Sequence, residues 1–233
     1  MGMTFQIRKT APVLLGITAA TTAAAAAVTY PGRARHYEII ADDAAGSALH
    51  DAVGLVASSG LVALVALAAV IGAGSLLASR RRFWTLASAG VGVVAAYALS
   101  ELIKILVAED RPCTSGTVST VLACPGAGDW SWPSNHSVLA GAFASACILT
   151  VTRSAWIATP LALLIAGSRV AAGVHYPHDV LSGLTLGGVV VVLVVVALRP
   201  VTDRAASRTN SLAPRGSRGA PVQAPPQAVP TAT

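Results

Sequence analysis

The chain has 233 residues, 54% of them hydrophobic and only 11% charged, with a formal net charge of +6. That balance excludes an ordinary soluble globular domain. The positive charge does not imply nucleic acid, because the arginines sit beside apolar segments, where they act as topology signals. The sequence reads as an all-α, polytopic membrane helix bundle.

Apolar segments close to the length that crosses a hydrocarbon core of roughly 30 Å run at 12–28, 53–78, 83–107, 137–152, 155–172 and 180–198. They predict six transmembrane helices. A short segment, 1–11, carries Arg8 and Lys9 ahead of the first span, which resembles a secretory signal and reads as an uncleaved anchor. Arg80, Arg81 and Arg82 lie between the second and third spans, Arg153 between the fourth and fifth, and Arg199, Arg204, Arg208, Arg215 and Arg218 after the last. Placing this whole set inside puts both termini in the cytoplasm and makes 12–199 one membrane domain. From 200 to 233 the chain is Pro-, Ala-, Ser- and Arg-rich without periodicity, which predicts a disordered cytoplasmic tail.

In this topology three polar stretches meet at the extracytoplasmic surface: KILVAEDRP after the third span, WPSNHS before the fourth, and SRVAAGVHYPHDV between the fifth and sixth. Ionisable groups at membrane depth are costly enough to suggest function. Lys104 and Arg111, seven residues apart, would share one face of the third helix or its immediate extension, with Pro112 turning Arg111 out of the helical region. They bind an anion or snorkel to the interface. Lysine occurs only twice against fourteen arginines, so its retention here carries some information. Ser134 suits the N-cap of the fourth helix, whose N-terminus would attract an anion and hold His136 in its first turn; an ordinary cap beside an incidental histidine would look the same.

In the last stretch Arg169 lies near the outer end of the fifth helix, Gly173 permits a tight turn and Pro177 suits the first turn of the sixth helix. His175 and Asp179 are four apart, so the carboxylate can hold one imidazole nitrogen and leave the other as nucleophile or base. His178 has the wrong spacing for that pairing and reads as a surface residue. Three cations, two histidines, a helix N-terminus and one orienting carboxylate suit phosphoryl transfer, in which charge grows on equatorial oxygens.

These residues resemble the type 2 phosphatidic acid phosphatase superfamily, whose pattern is K-x6-R-P, P-S-G-H and S-R-x5-H-x3-D. The three parts stand in order at Lys104 to Pro112, Pro133 to His136 and Ser168 to Asp179, across about 75 residues. The resemblance implies that His175 attacks the terminal phosphorus to form a phosphohistidine, that Asp179 holds its ring, and that His136 protonates the leaving oxygen and then activates water. It implies a phosphate clamp of Lys104, Arg111 and Arg169, helped by Ser134 and adjacent N–H groups. No metal or other cofactor is implied, and no His, Cys and carboxylate cluster shows ligand spacing. Asn135 stands where the family most often has glycine. If that position needs positive φ, asparagine is the least costly substitute, and its amide could add a donor to the phosphate.

Cys113 and Cys124 flank a Gly/Ser/Thr-rich loop on the side expected to be oxidising, and a disulfide closing it is the expectation. Cys147 reads as a buried apolar residue, Trp130 and Trp132 as an interfacial belt. Glu101, Glu109 and Asp110 read as partners of nearby cations without catalytic roles. The partner expected is a membrane lipid phosphate at the outer leaflet of the cell membrane, foremost a polyprenyl diphosphate carrier. Phosphatidylglycerol phosphate, phosphatidic acid and a polyprenyl-phosphoryl sugar phosphate compete with it. The other classes considered are a lipid phosphotransferase and a non-catalytic transporter or scaffold; the sequence sets no oligomeric state.

Overall fold

The computed structural model describes residues 2–116 and 118–211. Among them are seven α-helices and no strand: α1 (Gly2–Thr29), α2 (Arg33–Ala45), α3 (His50–Ala78), α4 (Arg80–Val107), α5 (Asn135–Thr150), α6 (Ala155–Ala171) and α7 (Pro177–Ser211). Five of them, α1, α3, α4, α6 and α7, are long and apolar enough to cross a membrane. The chain is a multi-pass membrane protein. The segment expected as the fourth span is α5, whose 16 residues extend only ~24 Å at 1.5 Å per residue.

The short helix α5 is the centre of the bundle, packed by α3, α4, α6 and α7. On one side Ile148 joins Leu64, Ala158 and Ile165 in an apolar cluster; on the other Val138 joins Val93 and Val191. Its small residues follow from this enclosure, because backbones can approach closely only where side chains are short. A Cβ on Gly187 of α7 would collide with the Val138 carbonyl oxygen, and one on Gly141 of α5 with that of Leu184. These contacts hold the N-terminal parts of the two helices side by side, and the Ser134 N–H donates to the Asp179 carbonyl (3.2 Å).

The structure adds one helix that the apolar pattern does not announce and corrects two sequence expectations. Residues 33–45, with no apolar run, fold as α2, which lays Tyr37 over the turn between α6 and α7; its hydroxyl donates to the Gly173 carbonyl (3.2 Å). His178, expected at the surface, is buried, because Tyr30 and Tyr176 pack their rings against it at 4.9 and 5.6 Å. The last helix, expected to end near 198, continues through Pro200 to Ser211; Ala and Arg favour helix there, and Arg199 pairs with Asp203 one turn on (3.7 Å). The remainder of the expected tail, 212–233, lies outside the described residues.

Candidate active site

The site forms where the ends of α4 and α6 meet the starts of α5 and α7. α4 stops at Val107, and Ala108 turns the chain in the left-handed region (φ 50°). Arg111 follows in extended backbone (ψ 146°), as expected of a residue before proline. Lys104 and Arg111 therefore converge by chain reversal and not, as the seven-residue spacing suggested, along one helical face. Gly173 makes the corresponding turn after α6 with φ +81°, a conformation open to glycine, while a Cβ there would also strike Thr120.

A cavity of about 280 Å³ is lined by Lys104, Arg111, Asn135, His136, Arg169 and His175. Six of the eight residues assigned to catalysis or phosphate binding thus share one space, with Asp179 directly behind His175. Leu61, Tyr97 and Leu139 form its apolar part. Size does not pick out this cavity. A larger one, about 340 Å³, lies at the far ends of α4 and α7 and is lined by Arg81, Arg82, Arg199 and Asp203 without any histidine.

The contacts of His175 fix its tautomer. Its Nε2 lies 3.0 Å from Arg111 Nη1, and a guanidinium can only donate, so Nε2 accepts and Nδ1 carries the proton. Nδ1 faces Asp179 Oδ2 (3.3 Å) and Ser131 Oγ (3.3 Å). Ser131 also donates to Asp179 Oδ2, as does the Tyr176 N–H (2.9 Å). That last bond explains the geometry, because Asp179 is the third residue of α7 and reaches back to the residue before the helix. Burial pushes the His175 imidazole down to about 4, the Asp179 contact offsetting part of that shift. The ring is neutral at physiological pH, with its unprotonated nitrogen toward the cavity.

Arg169 reaches the same space with Nη1 donating to the Ala57 carbonyl (2.9 Å) and Nε without a partner among the described residues. Ser134 stands at the N-cap position of α5 but makes no cap hydrogen bond; its buried hydroxyl has no partner among the described residues. The backbone at Asn135 does not require positive φ. Asn135 is the first residue of α5, and among the described non-glycine residues only Ala108 has positive φ. Its amide donates to Glu101 and its carbonyl accepts from Ser100 (2.7 Å), tying α5 to α4. Cys113 and Cys124 are joined by a disulfide with Cα atoms 5.7 Å apart.

Two residues escaped the sequence reading. Asp129 accepts from Lys104 Nζ (3.2 Å) and Arg111 Nη2 (2.8 Å) through the same oxygen; Ser131 orients Asp179. Asp129 could have been noticed as the only acidic residue between Arg111 and His136. Nothing in spacing distinguishes Ser131. The fold also assembles a group that spacing did not reveal: Glu109, His178 and Asp179 bring potential ligand atoms within 4.8 Å of one another. His178 Nε2 hydrogen-bonds Glu109 (3.2 Å) and lies 3.0 Å from Asp179 Oδ1 without hydrogen-bond geometry, and Glu109 also pairs with Arg33 (3.5 Å).

Residues 85–203, just over half of the chain and containing every candidate catalytic and phosphate-binding residue, match the family model of the PAP2 superfamily. The chain belongs to the PAP2 superfamily. Among curated relatives, undecaprenyl-diphosphatase BcrC of Bacillus subtilis is 35% identical over 98 residues, 42% of this chain and 50% of that one. Decaprenylphosphoryl-5-phosphoribose phosphatase of Mycobacterium tuberculosis is 36% identical over 116 residues, 49% of this chain and 60% of that one. This PAP2 chain spans about half the length of the curated relatives it matches. Its fold is similar to the crystal structure of the first transmembrane PAP2 type phosphatidylglycerolphosphate phosphatase from Bacillus subtilis. The TM-score is 0.55 at 24% identity, over 82% of this chain and 96% of that one; at that identity the likeness is one of fold.

Proposed function

We propose that this PAP2 protein is a metal-independent lipid phosphate phosphatase that removes a terminal phosphate through a phosphohistidine on His175. The observation that carries the reading is the neutral imidazole with Nδ1 toward buried Asp179 and Nε2 toward a cavity shared with Lys104, Arg111 and Arg169. Nε2 attacks the terminal phosphorus as the bond to the lipid-side oxygen breaks, and the cations take up charge on the equatorial oxygens. His136 gives the departing oxygen a proton, then removes one from the water that cleaves the phosphorus–nitrogen bond. Inorganic phosphate leaves and His175 returns neutral. Asp179 stabilises the charged ring while the intermediate exists.

The substrate favoured is a polyprenyl diphosphate, since two of the relatives are named for polyprenyl substrates and the apolar wall of Leu61, Tyr97 and Leu139 adjoins the cations. In this reading α5 is a sixth crossing inside the bundle, both termini are cytoplasmic, and the site faces the extracytoplasmic side of the cell membrane. The asymmetric placement of arginines supports that orientation.

The test is phosphate release from polyprenyl diphosphate, phosphatidylglycerol phosphate and phosphatidic acid in detergent, with and without chelator. Replacing a covalent nucleophile costs roughly 10⁴-fold or more in kcat, so His175→Ala should abolish release and the acid-labile phosphoenzyme. Turnover that persists in His175→Ala, or that strictly requires added divalent metal, would overturn the mechanism.

A further inference from the structure

The phosphate position between Lys104 and Arg111 already holds an anion supplied by the chain. Asp129 Oδ1 accepts from Lys104 Nζ (3.2 Å) and Arg111 Nη2 (2.8 Å). The other donors of the pair go mainly to fixed backbone carbonyls: Lys104 Nζ to Trp130 (2.7 Å), Arg111 Nε to Asp129 (2.7 Å) and Arg111 Nη1 to Val174 (2.9 Å). Among the described residues, the side-chain contacts that remain are those with Asp129 and the one between Arg111 Nη1 and His175 Nε2. In the resting protein one guanidinium therefore grips the surrogate anion and covers the nitrogen that would attack.

Asp129 differs from the carboxylates around it. Asp179 is buried behind His175, Glu101 holds Asn135, and Glu109 faces His178 and Arg33. The Asp129 side chain is 51% exposed, whereas those of Lys104 and Arg111 are 6% and 5% exposed. It can rotate out to solvent while its own carbonyl stays anchored on Arg111 Nε. Burial would raise its pKa, but the contacts with Arg111 and Lys104 outweigh that and hold it below the usual carboxylate range. A phosphate on the same two donors would place like charges a few ångströms apart, so carboxylate and phosphate exclude one another.

We propose that Asp129 is a specificity-determining residue that occupies the phosphate position at rest and admits only headgroups charged enough to displace it. The proposal rests on the phosphatase reading above. A phosphodiester carries one negative charge, no more than the carboxylate, which is tethered in place at a high effective concentration. A phosphate monoester or terminal diphosphate carries more charge and wins the two cations. The residue would thus separate the monoester and diphosphate class from the phosphodiester lipids that make up the surrounding bilayer.

The experiment compares wild type with Asp129→Asn and Asp129→Ser in mixed micelles, using orthophosphate and the phosphodiester lipid phosphatidylglycerol as competitors of substrate. Orthophosphate-dependent thermal shifts serve as a readout that needs no turnover. Loss of a charge-assisted competitor should lower the orthophosphate inhibition constant about tenfold, enlarge its thermal shift and make phosphatidylglycerol an inhibitor. An inhibition constant that is unchanged or higher in both variants would overturn the proposal and make Asp129 a positioning residue for the cations. His175→Ala tests the parent reading separately: if it is inactive while the Asp129 variants bind orthophosphate as wild type does, the proposal alone fails.

Discussion

The two ends of the α4 and α7 pair carry similar charge and cavities of similar size, yet they differ in what those charges can do. At the far end Arg81 and Arg199 have side chains 45% and 62% exposed and share one carboxylate, Asp203. At the site end Lys104, Arg111 and Arg169 are each less than a tenth exposed, and every one donates to a backbone carbonyl. An exposed pair is worth little and is screened by salt. Enclosed, directed donors act where the dielectric is low and cost no reorganisation when charge develops. Enclosure and aim, more than the number of cations, separate a candidate reaction centre from a topology signal.

The two aspartates of α7 carry the same contrast between enclosed and exposed charge. Asp179 has no exposure and holds His175; Asp203 sits in solvent between two arginines. Asp179→Asn keeps the shape but removes the charge that favours the protonated ring, and should lower kcat by roughly 10³–10⁴-fold. Asp203→Asn should change turnover less than about twofold, as expected of an exposed pair. Steady-state phosphate release from both variants decides it. Equal effects would mean that burial has not distinguished the two ends.

That contrast also explains what was legible in the sequence. Lys104, Arg111, His136, Arg169, His175 and Asp179 could be singled out because charge is rare in this chain and their spacing follows a family pattern. Their helices were legible because 83–107, 137–152, 155–172 and 180–198 are largely apolar stretches close to membrane-crossing length. Asp129 and Ser131 were not, since their roles depend on where an irregular loop lands, and no periodicity encodes that. α2 was missed for the opposite reason: its sequence RARHYEIIADDAA is too polar to look like a membrane element, and it is held by Tyr37 and Ala41 packing under it. Helical spacing does not reveal the burial of His178, because Tyr30 and Tyr176, which cover it, lie outside its helix.

A smaller effect follows from the enclosure of His175. Its folded pKa of about 4 lies below the value of about 6.5 for an unfolded chain. Between those values the unfolded state binds the extra proton, so stability rises with pH across the window. The contribution is fully present above pH 6.5 and is lost as pH falls toward 4. Thermal midpoints of wild type and His175→Asn, measured from pH 7 to 4.5, should converge as the wild type loses stability. A constant difference across that range would show that the imidazole is not shielded as the structure places it.

The mildest perturbation concerns the loop that carries Asp129. Cys113 and Cys124 close a short cycle, and the chain beyond it passes Pro125 and Asp129, both in the cavity wall. The Leu122 N–H also donates to the Ala172 carbonyl (3.2 Å), fastening the loop to the turn before His175. Replacing both cysteines by serine releases an entropic constraint of up to about 3 kcal/mol for a loop of this size, while Lys104, Arg111 and His175 keep contacts outside the cycle. The double variant should therefore lower the thermal midpoint and raise KM more than it lowers kcat. A fall in kcat with KM unchanged would mean that the loop shapes the transition state directly, and that the boundary between reaction centre and scaffold lies further out than the buried cations mark it.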